Sequence, residues 1–427
     1  MSEWQRRDAL KLLLASSGLA LTACSGLSRV TKQRLRVVVI GAGFGGATAA
    51  KYIALNNPQI EVLLIERKKA FISGPFSNTV IAGMNGMDKI THPLQQLQTN
   101  HHINFLRATV TAVDPEQRKV WLTSGERIPY DRLVVSPGID IRWNALEGYD
   151  QAASTLMPHA WQAGPQTLLL RQQLQAMPDG GVVVISSPAD PFRCPPGPYE
   201  RASLIAYYLK RHKPRSKILI LDSKNGFAKQ PLFEQGWQRL YPGMIEWVSL
   251  GGGGRVVAVE AAQGRVHTEI DEFKPDVANI IPPQQAGQIA QQAGLVDSTG
   301  WCPVNQQTFE SHNIPGIYVI GDSSLAGYMP KSAYAANCQA KVCAQAVVAD
   351  LVGEAPLEPT FINTCYSLLA PDYAISIAAV YRLRNGEIMP VNGAGGSTPI
   401  QATLDDLASE ASYARGWYRN IVTDSFG

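Results

Sequence analysis

Residues 36–55 read Arg36-Val37-Val38-Val39-Ile40-Gly41-Ala42-Gly43-Phe44-Gly45-Gly46-Ala47-Thr48-Ala49-Ala50-Lys51-Tyr52-Ile53-Ala54-Leu55. Val37 to Ile40 is an unbroken β-branched run, which suits a strand buried on both faces of a parallel sheet. It meets Gly41, Gly43 and Gly46 in GxGxxG spacing, and a helical stretch from Ala47 to Leu55 follows. Gly41 permits the tight turn, Gly43 lets a pyrophosphate approach the backbone, and Gly46 lets the helix pack on the strand. The helix N-terminus then faces the phosphates. A second strand, Glu61 to Ile65, ends at Glu66, twenty residues after Gly46. A carboxylate there accepts hydrogen bonds from a ribose. Strand, turn, helix, strand and acid in that order predict a dinucleotide-binding unit.

The rest of the chain sets limits on its function. Its 427 residues are 45% apolar and 17% charged, enough for a large core and two to three domains. A net charge of +3, unclustered, gives no footprint for nucleic acid. Six cysteines in this length exclude a disulfide scaffold. There is no CxxC or HExxH, and the close pair His101-His102 reads as loop, so no metal site is expected. Residues 1–30 read as an address. Arg6-Arg7 precedes an uncharged run from Leu12 to Ser28, shorter than the ~20 apolar residues of a spanning helix. This is a twin-arginine export pattern, and export predicts a periplasmic protein whose cysteines can be oxidised. Leu21-Thr22-Ala23-Cys24 has the form of a lipoprotein processing box, with Cys24 as the possible lipid anchor.

Two later stretches identify the dinucleotide as FAD. Asn313 to Asp322, NIPGIYVIGD, resembles the second flavin motif of two-dinucleotide-domain flavoproteins, with Gly321-Asp322 opening a helix and Asp322 bonding the ribityl chain. Tyr130 to Gly138, YDRLVVSPG, resembles their strand-to-glycine crossover at Gly138. The expected order is an FAD domain in two parts, 35–145 and 291–352, around a second dinucleotide-type domain at 146–290, with 353–427 as a C-terminal domain. In the second domain, Gly181 to Ile185 and Lys217 to Asp222 read as strands, with a helix over about Tyr199 to Arg211 between them. The turn Ser186 to Pro198 has no GxGxxG and five prolines. Proline lacks the amide donor a phosphate needs, so no NAD(P)H site is expected there.

Cys194 lies in that proline-rich turn, at the carboxyl end of a strand where open α/β sheets place ligands. Cys365 follows the second flavin segment. From spacing alone, both fit a structural bridge or buried thiols as well as chemistry. Cys338 and Cys343 read as small buried hydrophobes on a helix, and Cys302 as structural.

RCPPGPYERAS (Arg193 to Ser203), NIIPPQ (Asn279 to Gln284), GWCPV (Gly300 to Val304), MPKS (Met329 to Ser332), NTCYS (Asn363 to Ser367) and the terminal WYRNIVTDSFG resemble the flavoprotein subunit of flavocytochrome c sulfide dehydrogenase. The resemblance implies an α/β, glutathione-reductase-like fold: two Rossmann-type domains plus a C-terminal α+β interface domain. It implies a redox disulfide, Cys194–Cys365, opened by hydrosulfide, with electrons passing through FAD to a c-type cytochrome subunit in a heterodimer. Glu200 is then a proton carrier, or a first-turn acid favoured by the helix dipole. Lys331 is a positive charge near the flavin ring, or a surface lysine. One departure stands out. The family's flavin-tethering cysteine has no counterpart: Gly74 occupies its place in Ala70 to Asn78, so FAD is expected to be bound non-covalently. The competing readings are a sulfide:quinone oxidoreductase and a non-catalytic flavin-bound sulfur-carrier or docking subunit.

Overall fold

The computed structural model describes residues 34–427; Arg6, Arg7 and Cys24 lie outside the described residues. Strand β1 (Arg36–Ile40) enters helix α1 (Phe44–Asn56) through the glycine turn, and β2 (Glu61–Glu66) returns parallel to β1, Val38 opposite Leu63. Helix α2 (Ser77–Ile81), β3 (Asn104–Arg107) and β4 (Arg132–Val135) follow. The next stretch carries α3 (Pro165–Ala176), β5 (Val182–Ser187), α4 (Gly197–His212), β6 (Lys217–Asp222), α5 (Gln230–Leu240), β7 (Ile245–Val248) and β8 (Val277–Ile280). Then come β9 (Ile317–Val319) and α6 (Ala333–Val352). Three long strands, β10 (Thr360–Ala370), β11 (Tyr373–Arg384) and β12 (Glu387–Ser397), and helix α7 (Leu404–Phe426) complete the chain.

Two parallel sheets result. The first has the order β9-β4-β1-β2-β3 and the second β7-β6-β5-β8. Val37, Val38 and Val39 are fully buried, as a strand covered on both faces requires. Each such side chain removed from water stabilises the fold by about 1.5–3 kcal/mol. β9 pairs with β4 although the whole second sheet lies between them in sequence. The chain leaves and re-enters the first sheet along one antiparallel pair, Ile139–Ile141 against Gln284–Ala286. The flavin-type unit is therefore interrupted and closed again in space, with both of its halves in one sheet. β10-β11-β12 form a separate antiparallel sheet covered by α6 and α7.

The segment after Gly321 departs from the sequence reading. No α-helix opens at Gly321-Asp322, only one turn of 3-10 helix. Instead Gly321 has φ +74, a single tight turn covers Gly321–Ser323, and Ser324–Leu325 runs parallel to Cys302–Pro303. α6 begins only at Ala333, where Ser332 Oγ accepts from Ala335 N at 3.1 Å. The physical reason is Pro330, which disfavours helix in the residue before it and postpones the start until a serine cap is available.

Candidate active site

The glycine turn is fixed by backbone sterics. Gly41 has φ +94, and a Cβ there would stand 2.4 Å from Ser136 O. A Cβ on Gly46 would stand 1.8 Å from Gly41 O. Around Gly43 the nearest atom is the Phe71 ring at 3.4 Å, which leaves the turn open on the cleft side. Glu66 at the end of β2 supports the turn: Oε2 accepts from Ala42 N at 3.0 Å and Oε1 from Lys68 N at 2.9 Å. Gly138, at φ +70, presents open space beside its Cα, while its carbonyl accepts from Gly287 N and Ser323 Oγ.

These groups line one cleft of about 380 Å³. Gly41, Gly43, Glu66, Gly138, Gly321 and Asp322 lie on its wall; so do Gly74, Cys194, Glu200 and Cys365. Gly46 lies behind the turn, as a packing glycine should. The residues fit FAD on a specific observation. Asp322 Oδ1 is buried with no hydrogen-bond partner among the described residues, and burial pushes its carboxyl pKa up. An orphaned buried acceptor costs about 1–3 kcal/mol, and a ribityl hydroxyl donated to it removes that cost. At Gly74 a Cβ would meet nothing within 4 Å, so the tether position is an open place on the wall.

Cys194 and Cys365 reach the cleft from different elements. Cys194 sits in the loop before α4 in the left-handed region, φ +57, a conformation non-glycine residues rarely hold without support. The support is Cys194 N donating to Lys331 O at 2.8 Å and Cys194 O accepting from Gly197 N at 2.8 Å. Cys365 lies mid-strand on β10. In this structure the two are separate thiols rather than a bridge, and burial pushes both well above an ordinary cysteine. Cys302 is fully buried, and its pKa is pushed up to about 12 by that burial. Cys343 is fully buried. Cys338 is only half-buried; its sulfur accepts from Ile362 N.

Glu200 takes its hydrogen-bond partners from outside its own helix. It is in the first turn of α4, yet neither carboxylate oxygen turns to its own helix. Oε1 accepts from Leu368 N on β10 at 2.9 Å, and Oε2 from Asn78 Nδ2 on α2 at 2.9 Å. Burial raises its pKa, and those two hydrogen bonds pull it back. Lys331 is placed differently from the expectation. It is absent from the cleft wall: Nζ donates to Asp322 O at 2.8 Å and Ser324 O at 2.9 Å, 3.8 Å above the buried Trp301 ring. It pins the Asp322 turn from behind, and burial lowers its pKa to about 8.

Sequence reading missed Asn78 and Arg201. Arg201 is 2% exposed, lines the cleft, and has its pKa lowered to about 9 by burial. It donates to Asn78 Oδ1, Asn279 Oδ1 and the carbonyls of His159 and Ala160. A signal existed: Arg201 shares the inner helical face with Leu204 and Ile205, an odd place for a charge. Asn78 carried no such signal.

An open glycine cradle, an unpartnered ribityl-type aspartate and two thiols on one wall define a flavoprotein of the disulfide-oxidoreductase class. In agreement, residues 35–171 match the profile of the pyridine nucleotide-disulphide oxidoreductases. Residues 167–282 match the central region of the sulfide dehydrogenase [flavocytochrome c] flavoprotein chain, and 357–426 match the flavocytochrome c sulphide dehydrogenase flavin-binding region. A sulfide dehydrogenase [flavocytochrome c] flavoprotein chain of Chlorobaculum thiosulfatiphilum is 58% identical over 45 residues, 10% of this chain and 94% of that one. The mitochondrial sulfide:quinone oxidoreductase of Dictyostelium discoideum is 20% identical over 312 residues, 69% of this chain and 67% of that one. In fold, the sulfide:quinone oxidoreductase structure from Aquifex aeolicus superposes with a TM-score of 0.74 at 19% identity, covering 91% of this chain and 92% of that one. The chain belongs to the family of flavocytochrome c sulfide dehydrogenase flavoprotein chains.

Proposed function

We propose that this protein oxidises hydrosulfide through a Cys194–Cys365 disulfide beside FAD and passes the electrons to a c-type cytochrome. The observation that carries the reading is that Cys194 and Cys365, 171 positions apart, line the same cleft as the glycine cradle and Asp322. In the oxidised pair, hydrosulfide attacks one sulfur. A new S–S bond forms to that cysteine, the Cys194–Cys365 bond breaks, and the other cysteine leaves as thiolate. Glu200, on the same wall, takes the proton that H2S gives up. FAD, held by Gly41, Gly43, Glu66 and Asp322, supplies a two-electron acceptor next to the thiols. Lys331 keeps the Asp322 turn and, through its carbonyl, the Cys194 backbone in register with each other.

The acceptor is assigned to a cytochrome rather than a quinone because two profiles of the flavocytochrome type match this chain. Gly74 supports non-covalent FAD: acid precipitation is expected to release all the flavin, and colour in the pellet would contradict this. Arg6-Arg7 supports export in folded form to the periplasm; Arg6→Lys with Arg7→Lys is expected to trap the precursor in the cytoplasm. The deciding experiment is anaerobic rapid mixing with sulfide. Bleaching of the flavin absorbance is expected, lost in Cys194→Ser and in Cys365→Ser. No bleaching in the wild type would leave a sulfur-carrier subunit, and turnover with quinone but not cytochrome c would leave a quinone reductase.

A further inference from the structure

We infer that Asn78 is the positioning residue that makes Glu200 a base, by fixing the direction of a hydrogen-bond chain running Arg201 to Asn78 to Glu200. The inference rests on the proposed sulfide chemistry only for its use, not for its geometry. Arg201 Nε lies 3.0 Å from one amide atom of Asn78, and a guanidinium only donates. That atom is therefore the amide oxygen, and the other is the NH2 group, which settles the orientation of the side chain. The NH2 group lies 2.9 Å from Glu200 Oε2 and must donate to it. Leu368 N lies 2.9 Å from Glu200 Oε1, and a backbone amide also only donates. Both carboxylate oxygens thus accept, and each of the two donors favours the charged form of Glu200.

Arg201 is the anchor of this chain. It is buried, and its remaining bonds go to Asn279 Oδ1 and to two carbonyls, so it cannot reverse the polarity. Asn78 is itself buried at 7% exposure on α2, which brings the effect from outside the helix that carries Glu200. The groups facing Glu200 are Asn78 from α2, Arg201 from its own helix, Cys194 from the preceding loop, Lys229 from the start of α5, and Cys365 with Leu368 N from β10. Burial raises the carboxyl's pKa, and the donors oppose that shift. In the reaction, H2S gives its proton to Glu200 and becomes the hydrosulfide that attacks the disulfide. Glu200 ends protonated, and no further reactant is needed.

Asn78→Asp tests this with almost no change of shape. It replaces the donor by an acceptor, while its carboxylate still pairs with Arg201 and so preserves the packing. Two readouts are taken on the FAD-bound protein. The first is the infrared stretch of a protonated carboxyl, assigned to Glu200 by its loss in Glu200→Gln. In Asn78→Asp it should appear at a pH higher than in the wild type by at least about one unit, the equivalent of one lost charge-assisted hydrogen bond. Asn78→Ala removes the donor without adding charge and should shift it the same way by less. The second readout is the rate of flavin bleaching by sulfide, whose acid limb should move up with the infrared signal and whose value at neutral pH should fall about tenfold. A Glu200 signal unmoved in both variants would overturn the inference even if sulfide bleaches the flavin. Absence of bleaching in the wild type, with the Glu200 signal still moving, would overturn the sulfide reading and leave the hydrogen-bond chain standing.

Discussion

The two parallel sheets carry the same strand-turn-helix-strand plan, and they end it in opposite ways. At the first, Glu66 at the tip of β2 holds the glycine turn through the Ala42 amide, bonds the Lys68 amide of its own loop, and stays on the wall of an open cleft. At the second, Asp222 at the tip of β6 is fully buried. It accepts from Tyr199 OH, from Trp247 Nε1 at 2.9 Å and from Lys224 Nζ at 2.6 Å. Tyr199 stacks on Phe227 with centroids 3.6 Å apart, and Lys224 also donates to Ser187 Oγ and Pro188 O. The start of α4 meets protein as well, since a Cβ at Gly197 would stand 2.6 Å from the Trp161 ring and 3.2 Å from Cys194 Sγ. This turn mounts the Cys194 thiol. The lesson is that the α/β frame specifies a place at the strand tips, and the turn residues decide whether a nucleotide or a reactive side chain occupies it.

The contrast can be broken at four points. The largest effect is expected from Gly46→Val, where side-chain atoms must displace the Gly41 carbonyl; the protein should lose flavin altogether and about 3 kcal/mol of stability, read as colourless protein with a lowered Tm. Next is Asp222→Asn, which leaves Lys224 without its buried partner and should cost about 3 kcal/mol in denaturant unfolding. The folded fraction should nevertheless keep full flavin content, because Asp222 belongs to the sealed unit; flavin loss there would break the comparison. Glu66→Gln should be milder. Its charge and one of its two amide contacts, to Ala42 of the turn or to Lys68, are lost, so flavin should bind about fivefold to tenfold more weakly by equilibrium dialysis, with Tm little changed. The smallest effect expected is none. NADH and NADPH at micromolar concentration should neither bind nor reduce the flavin, and any reduction would mean that the second cradle opens.

Much of this was legible from the chain because it depends on local rules. The β-branched run and the glycine spacing placed β1, α1 and the cradle, and the five prolines showed that the second turn differs. The helix expected at Gly321 was misplaced because two weak local signals competed, and Pro330 with the Ser332 cap moved the start to Ala333. Lys331 could be singled out as a charge, but not its direction. Burial over Trp301 and two carbonyl acceptors turn it behind the Asp322 turn instead of into the cleft. Asn78 and Arg201 act through partners 122 and 123 positions away, and no spacing rule reaches that far.

By itself, then, the sequence determined that a glycine cradle of dinucleotide type exists, that its neighbour lacks that glycine spacing, and that Gly74 stands where the family's tethering cysteine would be. Each follows from backbone sterics or missing atoms within a few residues. Tertiary structure alone decided that Cys194 and Cys365 share a wall, and that Glu200 bonds to α2 and β10 rather than to its own helix. It also decided that Asp222 is sealed from any ligand. Those outcomes depend on which elements pack together, because a buried polar group must take its hydrogen-bond partners from whatever the fold brings within about 3 Å.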